Sequence, residues 1–292
     1  MKIEELRIPA PWGHIAVKTW GNHDDPTIIA IHGTGDNAAT FDGLIPLLPK
    51  TFHYACIELP GHGKSTPFPR GILLYFEYIL YSVKISMDYF KKNTYILMGH
   101  GLGAALCTFS AQMYPEFVSK LILIDALTSW PVHPIVFGKH LTESIRNTIQ
   151  GANNNTENIY SYEEAEKILK NSKREGKLLP ETCNKLLERM LTKVGENKYL
   201  FSWDERLARM LYPTFHIEDT KQFLETMPVR ADTVFINFTG TSSRYSDYKD
   251  KTWNLFRVRK HYIKGDHYCI FTNPEAISKI LNEFLLKEKS KL

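Results

Sequence analysis

Residues 98–105 read Met-Gly-His-Gly-Leu-Gly-Ala-Ala, after the apolar run Tyr95-Ile96-Leu97 and before a helix of small residues. The spacing fits two chemistries. As G-x-G-x-x-G/A between a strand and a helix, it is a loop that lays a pyrophosphate on a helix N-terminus. Asp125, about 20 residues further on, then takes the place of a ribose-binding acid. As G-x-S-x-G with Gly101 at the centre, it is the strand–turn–helix elbow that presents a nucleophilic serine, here without the serine. The surroundings favour the second reading. A dinucleotide loop normally opens its unit, whereas several strand-like runs precede this one. His32-Gly33-Thr34 follows an earlier apolar run, where a His-Gly turn can aim a backbone N–H at a developing oxyanion. Leu59-Pro-Gly-His-Gly-Lys-Ser65 is a tight loop after the next run. Gly265-Asp266-His267 follows the last one, where a histidine can reach over the edge of a sheet.

Hydrophobic periodicity supplies the elements that must position these residues. Residues 3–8 and 14–20 pattern as a hairpin about Pro11-Trp12-Gly13. Residues 27–31, 54–58, 95–98 and 121–124 are short, continuous apolar runs, the mark of strands buried on both faces. Helical patterns lie between them, near 41–48, over 73–91 and over 102–113. Strand signals return at 233–237 and 255–263, and a helix over 274–286 follows. From 128 to 229 strand signals are few. Ser161 stands three residues before Glu164 as a capping box, and 179–194 and 220–227 read as helices. The pattern predicts an α/β architecture with a mostly parallel sheet. Its core spans residues 1–126 and 231–292, and a helical lid is inserted over 127–230.

Composition narrows the function classes. A chain of 292 residues, 43% apolar, buries an ample core and sits near the upper size of one domain. A net charge of +4, spread in small clusters, argues against a nucleic-acid partner. Four scattered cysteines lack metal spacing, and Cys56 and Cys107 lie in apolar runs as reduced, buried thiols. His133, His140 and His216 are too dispersed for a metal, so neither metal nor cofactor is expected. No signal peptide or membrane span is expected either. Two glycosylation sequons, at Asn154 and Asn237, carry little weight without such a signal. Ser290-Lys291-Leu292, at the end of a lysine-rich tail, is the tripeptide a peroxisomal import receptor reads. Peroxisomal delivery is therefore expected, with the cytoplasm as the alternative.

Taken in order, HG at 32–33, LPGHGKS at 59–65, GHGLGA at 99–104, the insertion and GDH at 265–267 resemble the α/β-hydrolase fold. More narrowly, IPAPWGHIAVKTWG, HGTGDNAATFDGLIPLLP and FSWDERLARML are similar to the serine hydrolase-like family, insect members included, over nearly the whole chain. The resemblance implies a peroxisomal setting and a set of roles. Gly101 takes the nucleophile's place, the N–H groups of Thr34 and Leu102 form the oxyanion hole, and His267 is the base. The acid has two positions open to it. One is Asp125, after the strand that follows the elbow helix. The other is the loop after 233–237, which carries serines at the usual carboxylate place and Asp247 later. His32, Gly33, His100 and Trp130 are expected along the substrate-binding edge. Above them the lid carries Trp130, Phe137, Tyr160, Tyr162, Phe201, Trp203, Tyr212 and Phe215. Most of these pack the lid itself, and a few line a cavity for a small apolar or acyl-type ligand.

Glycine at the elbow has a definite consequence. The turn strains a residue with a Cβ by about 1–3 kcal/mol, which glycine avoids. It also removes the only hydroxyl placed to attack. Loss of a triad serine costs on the order of 10⁶ in kcat and leaves ~10³–10⁴ over water. No substitute is evident, since Thr34 sits in the oxyanion turn and Cys56 within a strand. Gly101 fits natural divergence or an engineered knock-out; the unusual loop after Asn237 and the preference of designers for alanine favour the first. Three classes follow. The chain is a hydrolase relative with conventional ester hydrolysis lost, or a catalyst of proton transfer, elimination or cyclisation through His267. It is otherwise a binder of apolar small molecules under the lid. A dinucleotide oxidoreductase is a distant further choice.

Overall fold

The computed structural model describes residues 1–127, 134–153, 159–172, 178–202, 204, 206–207, 210–211, 222–223, 225–240 and 258–287. In chain order the strands are β1 (Ile3–Ala10), β2 (Gly13–Trp20), β3 (Thr27–Ile31), β4 (His53–Ile57), β5 (Tyr95–His100), β6 (Val118–Ile124), β7 (Ile159–Tyr160), β8 (Leu191–Gly195), β9 (Lys198–Phe201), β10 (Asp232–Phe238) and β11 (Val258–Ile263). The α-helices are α1 (Phe76–Phe90), α2 (Leu102–Met113), α3 (Pro134–Asn153), α4 (Tyr162–Ser172), α5 (Pro180–Met190), α6 (Cys269–Thr272) and α7 (Pro274–Leu286).

The main sheet runs β1-β2-β4-β3-β5-β6-β10-β11. Pairing is antiparallel from β1 to β4 and parallel from there to β11. Strands β3, β4 and β5 are buried at every position, which is why they read as unbroken apolar runs. Alternate residues feed two cores. Ile29, Ile31 and Leu97 pack with Val83 and Met87 of α1 and Leu106 of α2. Ile28, Ala30 and Met98 pack with Ile277, Leu281 and Phe284 of α7 on the opposite face. The parallel strands therefore end together along one edge, and β3, β5, β6 and β11 run there into the turns that carry His32, Gly101, Asp125 and His267.

The insertion departs from its expected all-helical form. Strands β7, β9 and β8 make a small antiparallel sheet within it. The stretch 179–194, read as one helix, divides at Met190, where α5 ends and β8 begins. Thr192, Val194, Tyr199 and Phe201 favour extended backbone. Asn197, at φ +44°, supplies the left-handed turn that closes the hairpin. The capping box is present: Ser161 N–H donates to Glu164 Oε2 at 2.7 Å, and Glu164 N–H to Ser161 Oγ at 3.2 Å.

A buried ion pair joins the insertion to the core. Arg189 of α5 donates through Nε to Glu58 Oε1 at 2.6 Å, and Nη2 reaches Glu5 Oε2 at 3.0 Å. Glu58, fully buried after β4, also accepts from the N–H groups of Ala38 (3.1 Å) and Lys64 (2.7 Å). Asn37 Nδ2 donates to Leu186 O at 2.9 Å beside it. Removing Glu58 takes one of two carboxylates from the buried Arg189 and leaves the Ala38 and Lys64 N–H groups without their acceptor. Glu58→Ala is therefore expected to destabilise the protein by about 3–5 kcal/mol in urea denaturation. A loss within the range of an ordinary surface change would show that the pair does not hold the insertion down.

His53 sets part of the acid stability. It lies buried against Phe90 at 5.7 Å between ring centroids, and burial pulls its pKa down from 6.5 to about 4. The folded chain keeps His53 neutral where the unfolded chain binds a proton. The linked stability is whole above pH 6.5 and is lost progressively as pH falls toward about 4. His53→Gln is expected to flatten the stability–pH curve across that window, as read by urea midpoints. An unaltered slope would contradict it.

Candidate active site

Strand β5 ends at His100, and the chain turns at Gly101 with φ 53° and ψ −119° before α2 begins. That conformation is open to glycine and strained for any residue with a Cβ. The flanking glycines serve close approach instead. A Cβ on Gly103 would lie 2.0 Å from Ile31 O, and one on Gly99 2.3 Å from the Gly103 backbone. The glycines of 99–103 thus seat α2 against β3 and β5 and form the elbow turn, with no phosphate loop needed to explain them. Gly101 N–H donates to Ile124 O at 3.0 Å, and Ala104 N–H donates back to Gly101 O at 3.0 Å, so the elbow is pinned between β6 and the first turn of α2.

His267 faces this elbow from the loop between β11 and α6. A Cβ on Gly101 would stand 3.1 Å from its Cε1 and 3.5 Å from its Nε2, with Gly33 Cα at 3.7 Å. A side-chain oxygen one bond further out would reach the imidazole. On the other side of the ring, Nδ1 donates to Asp125 Oδ2 at 2.7 Å. The carboxylate only accepts, so the hydrogen-bond network assigns the proton to Nδ1 and leaves the Nε2 lone pair toward Gly101. The side chain of His267 is 27% exposed and that of Asp125 only 1%, so a ligand meets the base and not the acid. Asp125 holds φ +60°, a left-handed conformation uncommon outside glycine, and its N–H donates to Ile236 O at 2.9 Å. Strain of this kind collects at functional sites. Asp125 is thus brought to His267; the other acid position, Asp247, lies outside the described residues.

Thr34 is exposed on the turn after β3, and Leu102 opens α2. Leu102 N–H belongs to the first turn of α2, whose donors have no partner within the helix. Gly33 lets this turn close on the elbow. A Cβ there would lie 3.2 Å from Asp36 Oδ2 and 3.3 Å from His100 Nδ1.

Two expected substrate contacts need correction. His32 is buried, its Nδ1 donating to Gly33 O at 2.8 Å and its Nε2 accepting from Leu59 N–H at 3.0 Å. Its ring ties two loops together and does not face a ligand. His100 is equally sealed. Its ring stacks on His267 at 4.3 Å, and Nε2 donates to the His267 carbonyl at 3.1 Å. Burial first, and then the neighbouring His267, hold its pKa below the ordinary imidazole range. His32 directly follows β3 and His100 is the last residue of β5, two strands buried along their whole length, which is why burial claims them. Trp130, Trp203, Tyr212, Phe215 and Ser290-Lys291-Leu292 lie outside the described residues. Tyr160, Tyr162 and Phe201 pack on a cluster that joins α4 and α5 of the insertion to Ala39 and Tyr268 of the core.

Sequence patterns missed Asp36, His62, Glu58 and Arg189. Asp36 is buried with Oδ2 3.7 Å from His100 Nδ1, and His62 Nε2 accepts from Gly35 N–H at 3.1 Å. An acid directly after HGTG was the available signal for Asp36. No thiol substitutes for the serine. All four cysteines are buried and free, and burial pushes the thiols of Cys56 and Cys107 well above their ordinary range.

A family profile described as alpha/beta hydrolase fold matches residues 26–274 of the chain. The chain belongs to the α/β-hydrolase fold family. Among its relatives are serine hydrolase-like proteins. The Danio rerio "Serine hydrolase-like protein" is 28% identical over 290 residues, covering 96% of this chain and 88% of the relative. A Drosophila melanogaster "Probable serine hydrolase" is 30% identical over 300 residues, covering 97% and 87%. The chain is a serine hydrolase-like member of the family. In structure it is similar to the hypothetical protein PA1622 of Pseudomonas aeruginosa, with TM-score 0.81 at 21% identity over 97% of this chain and all of the other. A thioesterase domain from the curacin biosynthetic pathway follows at TM-score 0.77 and 18% identity, over 96% of this chain and 99% of that domain. At such identities these two speak for the fold alone. No described helix is long and apolar enough to cross a membrane.

Proposed function

We propose that this serine hydrolase-like protein carries a working general base without an attached nucleophile. His267 is the base, Asp125 holds its tautomer and stabilises the imidazolium, and the N–H groups of Thr34 and Leu102 receive a developing oxyanion. The site then acts on small acyl-type or apolar molecules without an acyl-enzyme, and conventional ester hydrolysis is lost. The observation that carries this reading is the 2.7 Å bond from His267 Nδ1 to a buried, strained Asp125 carboxylate, with Nε2 turned toward Gly101.

The test is residual hydrolysis of a short-chain p-nitrophenyl ester by the native protein. It is expected to stay at or below ~10³–10⁴ over water, and His267→Ala should lower what remains by about 10²-fold or more. Residual hydrolysis indifferent to His267 would withdraw the catalytic role and leave binding of an apolar ligand as the function.

A further inference from the structure

The base hangs at the margin of the sheet. Strand β11 is the last in the main sheet, and His267 lies beyond its end, past Gly265 at φ +155°. The elbow and the acid are held more directly. Gly101 N–H donates to Ile124 O at 3.0 Å and Asp125 N–H to Ile236 O at 2.9 Å, both across strand ends. Two side chains reach His267 from these ends. Asp125 takes its Nδ1. The other is His100, the last residue of β5, paired in register with Ile124 beside Asp125.

One ring of His100 touches the base twice. Its face stacks on the His267 ring, with centroids 4.3 Å and planes 29° apart, and its Nε2–H donates to the His267 carbonyl at 3.1 Å. The stack fixes the plane of the imidazole, and the bond fixes the backbone that carries it. The arrangement has a cost. With the proton on Nε2, Nδ1 of His100 is a buried acceptor, and it has no hydrogen-bond partner among the described residues. Asp36 Oδ2 stands 3.7 Å from it, beyond bonding range. A buried polar atom left unpaired is unfavourable, and an apolar side chain of similar size would avoid it. Burial first, and then the adjoining His267, keep this ring neutral, against the pull of Asp36 and Asp125. Neutrality suits the site, because a second cation 4.3 Å away would repel a proton arriving on His267.

We propose that His100 is a positioning residue for the base, holding the His267 ring with Nε2 toward residue 101. This rests on His267 acting as the base. His100 itself is sealed from any ligand, and its unpaired Nδ1 follows from keeping Nε2 on the His267 carbonyl.

The experiment is ¹⁵N and ¹H NMR of the histidine rings in the native protein and in two variants. His100→Met fills the volume and removes the donor. His100→Gln keeps a flat group with an N–H near the place of Nε2. In the native protein His267 should show one tautomer, with its Nδ1–H as a far-downfield, slowly exchanging proton. His100→Met is expected to lose that signal and mix the two tautomers, and His100→Gln to retain both features. In the Gly101→Ser background, His100→Met should lower kcat for a p-nitrophenyl ester by about 10²-fold, with KM changed less than about threefold. His100→Gln should recover at least about tenfold of that loss. An unaltered His267 tautomer and Nδ1–H signal in folded His100→Met overturns the proposal. So does a native His100 ring that carries two protons between about pH 6 and 8, a result that needs no variant. Hydrolysis by Gly101→Ser that His267→Ala lowers and His100→Met leaves untouched removes this proposal and keeps the base reading. Hydrolysis indifferent to His267 removes the base reading, and this proposal with it.

Discussion

Replacing Gly101 by serine is expected to raise kcat for a short-chain ester by at least about 10²-fold, out of the ~10⁶-fold that a complete triad loses with its serine. The geometry supplies the reason. The new Cβ would stand 3.5 Å from His267 Nε2, so Oγ lies within reach of a base whose tautomer Asp125 already fixes. The elbow points that oxygen away from the sheet, as the strand-to-helix turn does in this class of site. The change carries two costs. A Cβ at φ +53° is strained, by about 1–3 kcal/mol. It also stands 3.1 Å from His267 Cε1, so the ring must yield by a few tenths of an ångström. Steady-state kinetics together with urea denaturation check both sides. More activity with less stability is the predicted pair. A gain in stability would mean that the elbow is not strained, and no gain in kcat would mean that base or oxyanion hole is misplaced.

Asp125→Asn, made in the Gly101→Ser protein, is expected to lower kcat by about 10³–10⁴-fold. A neutral amide does not stabilise the imidazolium, and it permits the wrong tautomer. Asparagine tolerates the left-handed region about as well as aspartate, so the fold should hold. The acid position is then separable from a structural role. Denaturation midpoints should stay close to those of the parent, while kcat falls and its dependence on pH changes. An equal fall in stability and activity would make Asp125 a strut for the end of β6. An unaltered kcat would return the role of acid to the loop after β10.

The architecture was legible because burial writes a direct pattern. Strands β3 to β6 are covered on both faces and show it as unbroken apolar runs, and the chemical residues stand where those runs stop. The elbow, the His-Gly turn and GDH267 could all be placed this way. The insertion was harder. The segment around Asn197 is a hairpin because of side chains that meet only across β8 and β9, and short apolar stretches do not distinguish that from a helix end. The Glu58–Arg189 pair spans 131 residues, and no local pattern announces it. His32 and His100 misled for a related reason. Sequence shows that a histidine stands beside a reactive turn, while only the packed structure shows whether its nitrogens face backbone or ligand. The 2.7 Å bond from His267 to Asp125 connects two points 142 residues apart, and no local pattern announces it.

The central claim is that base, acid and oxyanion donors stand in working order around a missing nucleophile. Intact mass spectrometry after incubation with an alkyl fluorophosphonate tests it most directly, because that reagent reports an activated hydroxyl irrespective of substrate. Native protein should remain unmodified. Gly101→Ser should gain a single phosphonyl adduct at residue 101, and Gly101→Ser with His267→Ala should lose it. An adduct on the native protein would reveal another nucleophile in the site and contradict the claim. So would a folded Gly101→Ser protein that takes no adduct.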